Sequence, residues 1–397
     1  MNLGLLITRF PPDVIAGAEL QMKQVATELA RRGHDVTVFT RRYHGRPFLQ
    51  QQDGYWIRRR RELPLPVLRM VWDMFPALWD IQRHRPRIEA LLCYQTLNSG
   101  FIGAIAQSLF GIPAVVSIRG NTEYRLRLNR ANRLLVPGVY KRIQHLIVQS
   151  PGILKDLRAQ FEEAEKSHLY DEISHKVSVI PNGLTLPESG RTVGSKIVYV
   201  GRLIKGKGVA DLILALRQLP GTETMIVGDG PHRPELESLA QGSLIEFIGR
   251  VAPSRVPDYL KQARLLVLPS RLGDGLPNVI LEAMSHGVPV VTTNTAGMPD
   301  VVKHEQTGLL YEPGDIHELT RCIGRVIHDD QLWQRLGENS LEASKSYSWD
   351  VVAPQMERVL QEAIRNTSLK QGDATVSTTS IHQLEHDQRV ASHVRSQ

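Results

Sequence analysis

The sequence predicts two α/β domains, each a doubly wound parallel sheet, facing one another across a ligand cleft. Three observations lead there. Short apolar strands alternate with amphipathic helices from about residue 3 to residue 364, the mark of βαβ units and a parallel sheet. A chain of 397 residues is longer than one hydrophobic core usually serves. The alternation breaks between Pro181 and Lys196, where PNGLTLPESGRTVGSK is rich in the Gly, Pro and Ser of linkers. Doubly wound sheets bind ligands beyond the carboxyl ends of their strands, so two of them joined this way share a site.

The elements follow in order. Leu3–Thr8 reads as a strand, Ala18–Arg31 as a helix stopped by Gly33, Asp35–Thr40 as a second strand and Tyr55–Arg59 as a third. No charge occurs from Ala90 to Ile118, a length that could cross a bilayer. However, Asn98, Gln107, Gly111 and Pro113 divide it into strand Leu91–Tyr94, helix Leu97–Phe110 and strand Ala114–Ile118. Leu146–Gln149 and Val177–Pro181 are the next strands. After the linker come strand Ile197–Val200, helix Gly208–Gln218, strand Thr224–Val227, helix Pro234–Ala240, strand Ile245–Ile248 and helix Val256–Gln262. Strand Leu265–Leu268 follows, and helices Gln331–Lys345 and Trp349–Ile364 end the series. The expected division is 1–183 for the first domain, completed by a helix over 349–365, and 184–348 for the second. Residues 366–397 hold few large apolar side chains and are expected to be disordered.

Composition narrows the class. The chain is 42% hydrophobic and 22% charged, an ordinary globular balance. Its only cysteines are Cys93 and Cys322, which excludes a disulfide framework and fits a reducing cytoplasm. The start, MNLGLLITRFPPD, lacks a charged leader and a small-residue cleavage site and reads as a first strand. Charge is uneven. Residues 1–190 carry 26 Lys and Arg against 17 Asp and Glu, and the remainder 22 against 24. A basic half calls for an anionic partner. Nucleic acid is set aside, because no finger, basic zipper or aromatic RNA-binding motif occurs. An anionic bilayer or a lipid-phosphate acceptor remains, beside the plainer reading of a solvated Arg-rich face. The segment Tyr55–Trp79 places four consecutive arginines beside Trp56, Trp72, Phe75 and Trp79, a combination suited to a membrane interface or to an edge strand followed by a packed helix.

The chemistry concentrates in Leu265–Asp300, LLVLPSRLGDGLPNVILEAMSHGVPVVTTNTAGMPD. It reads strand, Gly-rich turn, helix, turn, strand. Gly273 and Gly275 free the backbone of the turn; Pro277 suits the first helical position and Gly287 the residue past the end. A helix start attracts anions, and Asp274 and Glu282 stand eight positions apart across it, so a phosphorylated sugar is the expected ligand. Glu282, in the apolar run VILEAM, needs a partner if buried, which a ribose hydroxyl pair supplies. Asp274 bonds sugar hydroxyls or its own turn backbone. Upstream, VGRLIKGKG over Val200–Gly208 nearly matches a P-loop, but Gly208 stands where Ser or Thr should hold magnesium. Arg202 and Lys207 instead read as a cationic pair flanking a diphosphate. Gly17, in PPDVIAGAEL, permits close approach of backbone to a ligand. Arg119, in Arg119-Gly120-Asn121 after a strand, touches phosphate or sugar hydroxyls or serves the surface.

Together GRLIKGKG, VGDGPHRPELESL, FIGRV and PSRLGDGLPNVILEAMSHGVPVV resemble the retaining glycosyltransferases of family 4, glycosyl transferases group 1, with the GT-B fold. The likeness runs from about Leu3 to Ile364 and is strongest from Val177 to Asp315. It implies transfer of a sugar from a nucleotide diphosphate donor, a UDP-sugar before a GDP-sugar, with retained anomeric configuration and without metal or cofactor. The acceptor would be a hydroxyl of a glycan or lipid-linked molecule, with polysaccharide biosynthesis as the setting; the expected place is the cytoplasm, and the basic half adds peripheral association at the inner membrane face as a further reading. The resemblance carries Arg202 and Lys207 onto the pair that holds the diphosphate, and Glu282 onto the second glutamate of E-x7-E, which binds ribose. Asp274 falls on the first, where Glu beside the donor sugar is usual. Gly17 falls on the N-terminal loop near the phosphates, as AGAE in place of GGxE, and Val251 where backbone meets the base. Gly275, Leu276, Asn278 and Val279 join the donor site. Arg119 stands near a frequent histidine, and Asp300 replaces a usual Glu. A shortened carboxylate at 274 leaves a second expectation: a nucleotide-sugar-binding protein with little or no transfer.

Overall fold

A computed structural model of the chain describes residues 1–12, 17–43, 45–60, 69–84, 87–120, 123, 126, 130–188, 193–272 and 275–369. The first half runs β1 (Asn2–Leu6), α1 (Gly17–Arg31), β2 (Asp35–Arg41), β3 (Leu49–Gln52), β4 (Tyr55–Arg60), α2 (Arg69–His84), β5 (Ala90–Tyr94), α3 (Phe101–Phe110), β6 (Ala114–Ser117), α4 (Arg130–Arg142), β7 (His145–Val148), α5 (Pro151–Glu163), α6 (Ser167–Ser174) and β8 (Val177–Val179). Its strands form one eight-stranded sheet in the order β3-β4-β2-β1-β5-β6-β7-β8, in which only β3 runs antiparallel.

The second half runs β9 (Lys196–Val200), α7 (Val209–Leu216), β10 (Thr224–Val227), α8 (Arg233–Leu239), β11 (Ile245–Gly249), α9 (Val256–Leu260), β12 (Ala263–Leu268), α10 (Asn278–Ser285), β13 (Val290–Thr293), α11 (Met298–Val301), β14 (Gly308–Tyr311), α12 (Ile316–His328) and α13 (Asp330–Ser344). Six parallel strands form its sheet, in the order β11-β10-β9-β12-β13-β14. A last helix, α14, covers 349–369. Both sheets are doubly wound, and the predicted fold class is the observed one.

Strands of both sheets are buried on two faces and read as continuous apolar runs, ALLCY in β5 and ARLLVL in β12, as parallel strands between helix layers should. One face of the first sheet packs against α2 to α6. The other packs against α1 and α14, which brings Val352, Met356 and Leu360 to Leu3, Leu5 and Val38. The chain therefore crosses between the halves twice, and the crossings touch: Leu184 N donates to Tyr347 O at 2.8 Å and Trp349 N to Leu184 O at 3.2 Å.

Several elements escaped the sequence reading. The edge strand β3 is LQQQ, with no apolar alternation to betray it. Its hairpin signal was Asp53-Gly54, which turns with φ of 48° and 84°, the two positive values of a type I′ turn. Expected helix Leu97–Phe110 begins instead as a π-helical turn over Gln95–Gly100. Residues 366–369, expected to be disordered, continue α14, and the Thr367 hydroxyl donates to Ala363 O at 2.9 Å. The rest of that tail lies outside the described residues. No described helix is long and apolar enough to cross a membrane.

The arginine run of β4 does not form an exposed cationic strip. Arg59 and Arg60 are 2% and 7% exposed, and Arg58 Nε donates to Asp80 Oδ1 of α2 at 3.2 Å. Arg61 lies outside the described residues.

Candidate functional site

The carboxyl ends of the two sheets face each other across a cleft of about 470 Å³, within the usual span of small-molecule sites. Four loops build its second-domain wall. After β9 the chain turns through Gly201–Lys207. Gly201 N donates to Val227 O and Leu203 N to Asp229 O, at 2.9 and 3.0 Å, so this loop is tied to the one after β10. Arg271 and Leu272 amides donate to Gly206 O at 2.9 and 3.2 Å, which ties it also to the loop after β12. Arg271 in turn grips buried Asp211 through two bonds of 2.7 and 2.6 Å. The segment that presents Arg202 and Lys207 is therefore braced from both sides.

Gly208 shows why this is no P-loop. Its φ is +67°, and a β-carbon there would collide with the Pro269 carbonyl oxygen. The position where a P-loop carries its magnesium-holding hydroxyl has no room for any side chain. The sharp left-handed turn instead starts α7 and leaves Lys207 on the cleft wall.

The start of α10 forms the next part. Pro277 is its N-cap, one position before the helix rather than inside it, and no side chain caps the first turn. The amides there lack helical partners and open toward the cleft, which Gly275, Leu276, Asn278 and Val279 line. Glu282 follows one turn later. Among the described residues nothing bonds its carboxylate, and burial pushes its carboxyl up to about 7.

The first domain contributes the ends of α1, β6, β7 and β8: Gly17, Gln21, Arg119, Gln149 and Asn182. Asn182, 3% exposed, ties four groups together. Its Oδ1 accepts from Arg119 Nη1 at 2.6 Å and from Gln149 Nε2 at 2.7 Å. Its Nδ2 donates to Leu276 O at 2.9 Å and Asn278 Oδ1 at 2.7 Å in the other domain. The Arg119 guanidinium lies 3.7 Å over the Tyr94 ring. Glu123 holds the base of this corner, accepting from the amides of Thr96 and Arg119, each at 3.0 Å; burial raises its carboxyl to about 7. Among the described residues, Gln21 Oε1, Arg119 Nε and Gln149 Oε1 are buried with no hydrogen-bond partner. Such atoms are rare without a reason, and all three belong to residues of the cleft wall.

All the described candidates from the sequence meet here: Gly17, Arg119, Arg202, Lys207, Val251, Gly275, Leu276, Asn278, Val279 and Glu282 line this one cleft. Asp274 and its neighbour Gly273 lie outside the described residues. Asp300 is not in the cleft; its Oδ2 accepts from Gly152 N of α5 at 2.6 Å and joins the two domains. Asn182, Gln149 and Gln21 were missed. Asn182 sits in PNG, inside the segment expected as linker; its signal is a polar residue at the carboxyl end of a strand. Among the described residues no group of three or more His, Cys, Asp or Glu is placed to hold a metal ion.

A pH dependence follows from Glu282. A carboxyl raised on folding favours the folded state while protonated. That contribution is whole below the ordinary value of 4.5 and is lost as pH rises through about 7. Glu282→Gln is therefore expected to gain melting temperature over the parent as pH climbs through this window. Melting curves between about pH 5 and 8 check this, and a pH-independent difference refutes it.

The family model for "Glycosyl transferases group 1" matches residues 194–329, and that for "Glycosyl transferase 4-like domain" matches residues 16–170. The putative teichuronic acid biosynthesis glycosyltransferase TuaC of Bacillus subtilis is 29% identical over 84% of this chain and 91% of its own. Two curated relatives at 31% and 30% identity are longer, and the chain spans 24% and 30% of their lengths. Among solved structures, sucrose-phosphate synthase from Thermosynechococcus elongatus superposes with TM-score 0.78 at 20% identity, over 92% of this chain and 99% of that one. HepE of Anabaena in complex with UDP gives 0.71 at 21%, over 91% and 100%.

Proposed function

The chain belongs to the group 1, family 4 glycosyltransferases with the GT-B fold, and from that premise we propose that it is a retaining, metal-independent transferase of a UDP-sugar. The observation that carries this is the convergence of Arg202, Lys207, the open start of α10 and the unpartnered Glu282 on one cleft wall. Two cations and a row of amides suit a diphosphate; a lone carboxylate one helical turn away suits a ribose diol. HepE was solved with UDP and with UDP-glucose, which favours uridine as the base, next to the backbone at Val251.

In the reaction the bond from the anomeric carbon to the diphosphate oxygen breaks. Positive charge grows on the sugar and negative charge on the leaving phosphate. Arg202, Lys207 and the α10 amides stabilise the anion as it forms, being already oriented toward it. Asp274 orients the sugar hydroxyls and complements the oxocarbenium charge. The acceptor hydroxyl attacks from the face the diphosphate leaves, and the departing phosphate oxygen takes its proton, so configuration is kept. A glycosidase would need two carboxylates flanking the bond; Glu282 is engaged with ribose instead. Closing the cleft about the paired crossings at 184 and 347–349 excludes water. The acceptor is a hydroxyl of a glycan or lipid-linked molecule.

A screen of nucleotides and nucleotide sugars for thermal protection tests the donor. UDP and one or more UDP-sugars are expected to raise the melting temperature, because a ligand of the native state alone stabilises it; protection by no nucleotide overturns the reading. The shorter carboxylate at 274 favours one alternative, a binding protein with little transfer. Tight UDP binding without turnover, together with turnover gained in Asp274→Glu, would establish it.

A further inference from the structure

α2, α3 and α4 lie side by side on one face of the first sheet and give their inner sides to its core. Their outer sides carry exposed apolar side chains. Phe75 and Trp79 are 58% and 66% exposed, one turn apart on α2; Leu109 at the end of α3 is 65% exposed and Leu134 on α4 is 74% exposed. Trp56 on β4 belongs to the same side, because its neighbours Tyr55 and Ile57 point into the core of the opposite face. Around this surface Arg83, Arg87, Arg133 and Arg142 are exposed, while Lys141 is paired with Glu172 of α6 at 2.8 Å. Neither α3 nor α4 contains an acidic residue, and Asp80 of α2 is held by Arg58. Scattered apolar side chains on a surface are ordinary, but a set on one layer bordered mainly by arginines marks an interaction face.

We infer that this face docks peripherally on an anionic phospholipid bilayer. Tryptophan and phenylalanine enter the boundary between headgroups and acyl chains, and the arginines meet the lipid phosphates. Arg59 and Arg60 of β4 play no part in it, being buried, and Arg58 is held by Asp80. Each helix of the layer begins beyond the carboxyl end of a strand, the edge that borders the cleft. The layer runs from that edge to the far ends of α2 and α4, where Arg83 and Arg142 stand, so a bilayer on it flanks the first domain along its length and reaches the cleft only at the helix starts. The docking stands apart from the donor assignment.

Flotation of the full chain with phosphatidylcholine vesicles, with and without phosphatidylglycerol, tests it. Co-flotation is expected only with phosphatidylglycerol and is expected to fade as salt rises. Phe75→Ser with Trp79→Ser should weaken partition about 10-fold or more. Arg133→Glu with Arg142→Glu should weaken it at least ~5-fold. UDP protection measured on the same variants reports folding and the donor site separately. Absence of flotation, equal flotation on neutral vesicles, or unchanged partition in folded variants overturns the proposal. So does a dimer of the parent chain, seen by light scattering, that the aromatic double variant converts to monomer, because a second copy would then cover the face.

Discussion

Replacing Lys207 by alanine is expected to lower kcat/KM for the nucleotide-sugar donor by about 10²- to 10³-fold, the usual cost of removing one preoriented group that stabilises developing negative charge. The lysine closes the turn Lys205–Lys207 just ahead of α7 and lines the cleft beside the α10 start. The loop bearing it is bonded to the loops after β10 and β12, so the ammonium reaches the site on a fixed base. Charge on the leaving diphosphate grows toward the transition state, so kcat should fall more than the donor KM rises. Arg202 stays in place and retains part of the ground-state binding. Lys205 offers the internal control: it is exposed, belongs to the same turn and does not line the cleft. Lys205→Ala should therefore leave the kinetics near those of the parent. Initial rates over a range of donor concentrations check both variants. Unchanged kinetics in Lys207→Ala would remove the diphosphate assignment.

Asn182→Ala is expected to cost about 3 kcal/mol of folding stability, because buried hydrogen bonds with a charged member leave costly orphans when one partner is removed. The alanine variant strands the guanidinium nitrogen of Arg119, the amide of Gln149 and the carbonyl of Leu276 together. Asn182→Asp separates the two halves of this role. A carboxylate still accepts from Arg119 and Gln149. It cannot donate to Leu276 O, and it sets a negative charge against that carbonyl. The aspartate variant should thus keep most of the stability yet transfer slowly, since the two domains no longer meet across residue 182. Urea unfolding midpoints and turnover numbers on the two variants decide it. Equal loss of stability in both would show that the bonds to the second domain dominate.

The strands buried on both faces were legible because their apolar runs end at Gly, Pro or polar residues; Thr224–Val227 was read to the residue. The edge strand LQQQ carried no such run, and α4 begins in a charged stretch and carries Pro137 inside it. Helix ends drifted by one to several residues for the same reason: helical pattern fades before helical hydrogen bonding does. For the site, Arg202, Lys207 and Glu282 stood out because glycines and a helix start surround them. Asn182, Gln149 and Gln21 did not, because their meaning lies in partners 33 to 162 residues away along the chain. Asn182 meets Asn278 only when two sheets face each other, which no local window shows.

The return of α14 to the first sheet orders the birth of the molecule. On the ribosome the first half emerges long before Val352, Met356 and Leu360, the residues that complete its core. The second half, whose own core draws on Leu184 and on residues 197–336, can finish while the first still waits with part of one flank of its sheet uncovered. A nascent chain would then consolidate in reverse of its reading order, and a chaperone would find its target on the earlier-made half.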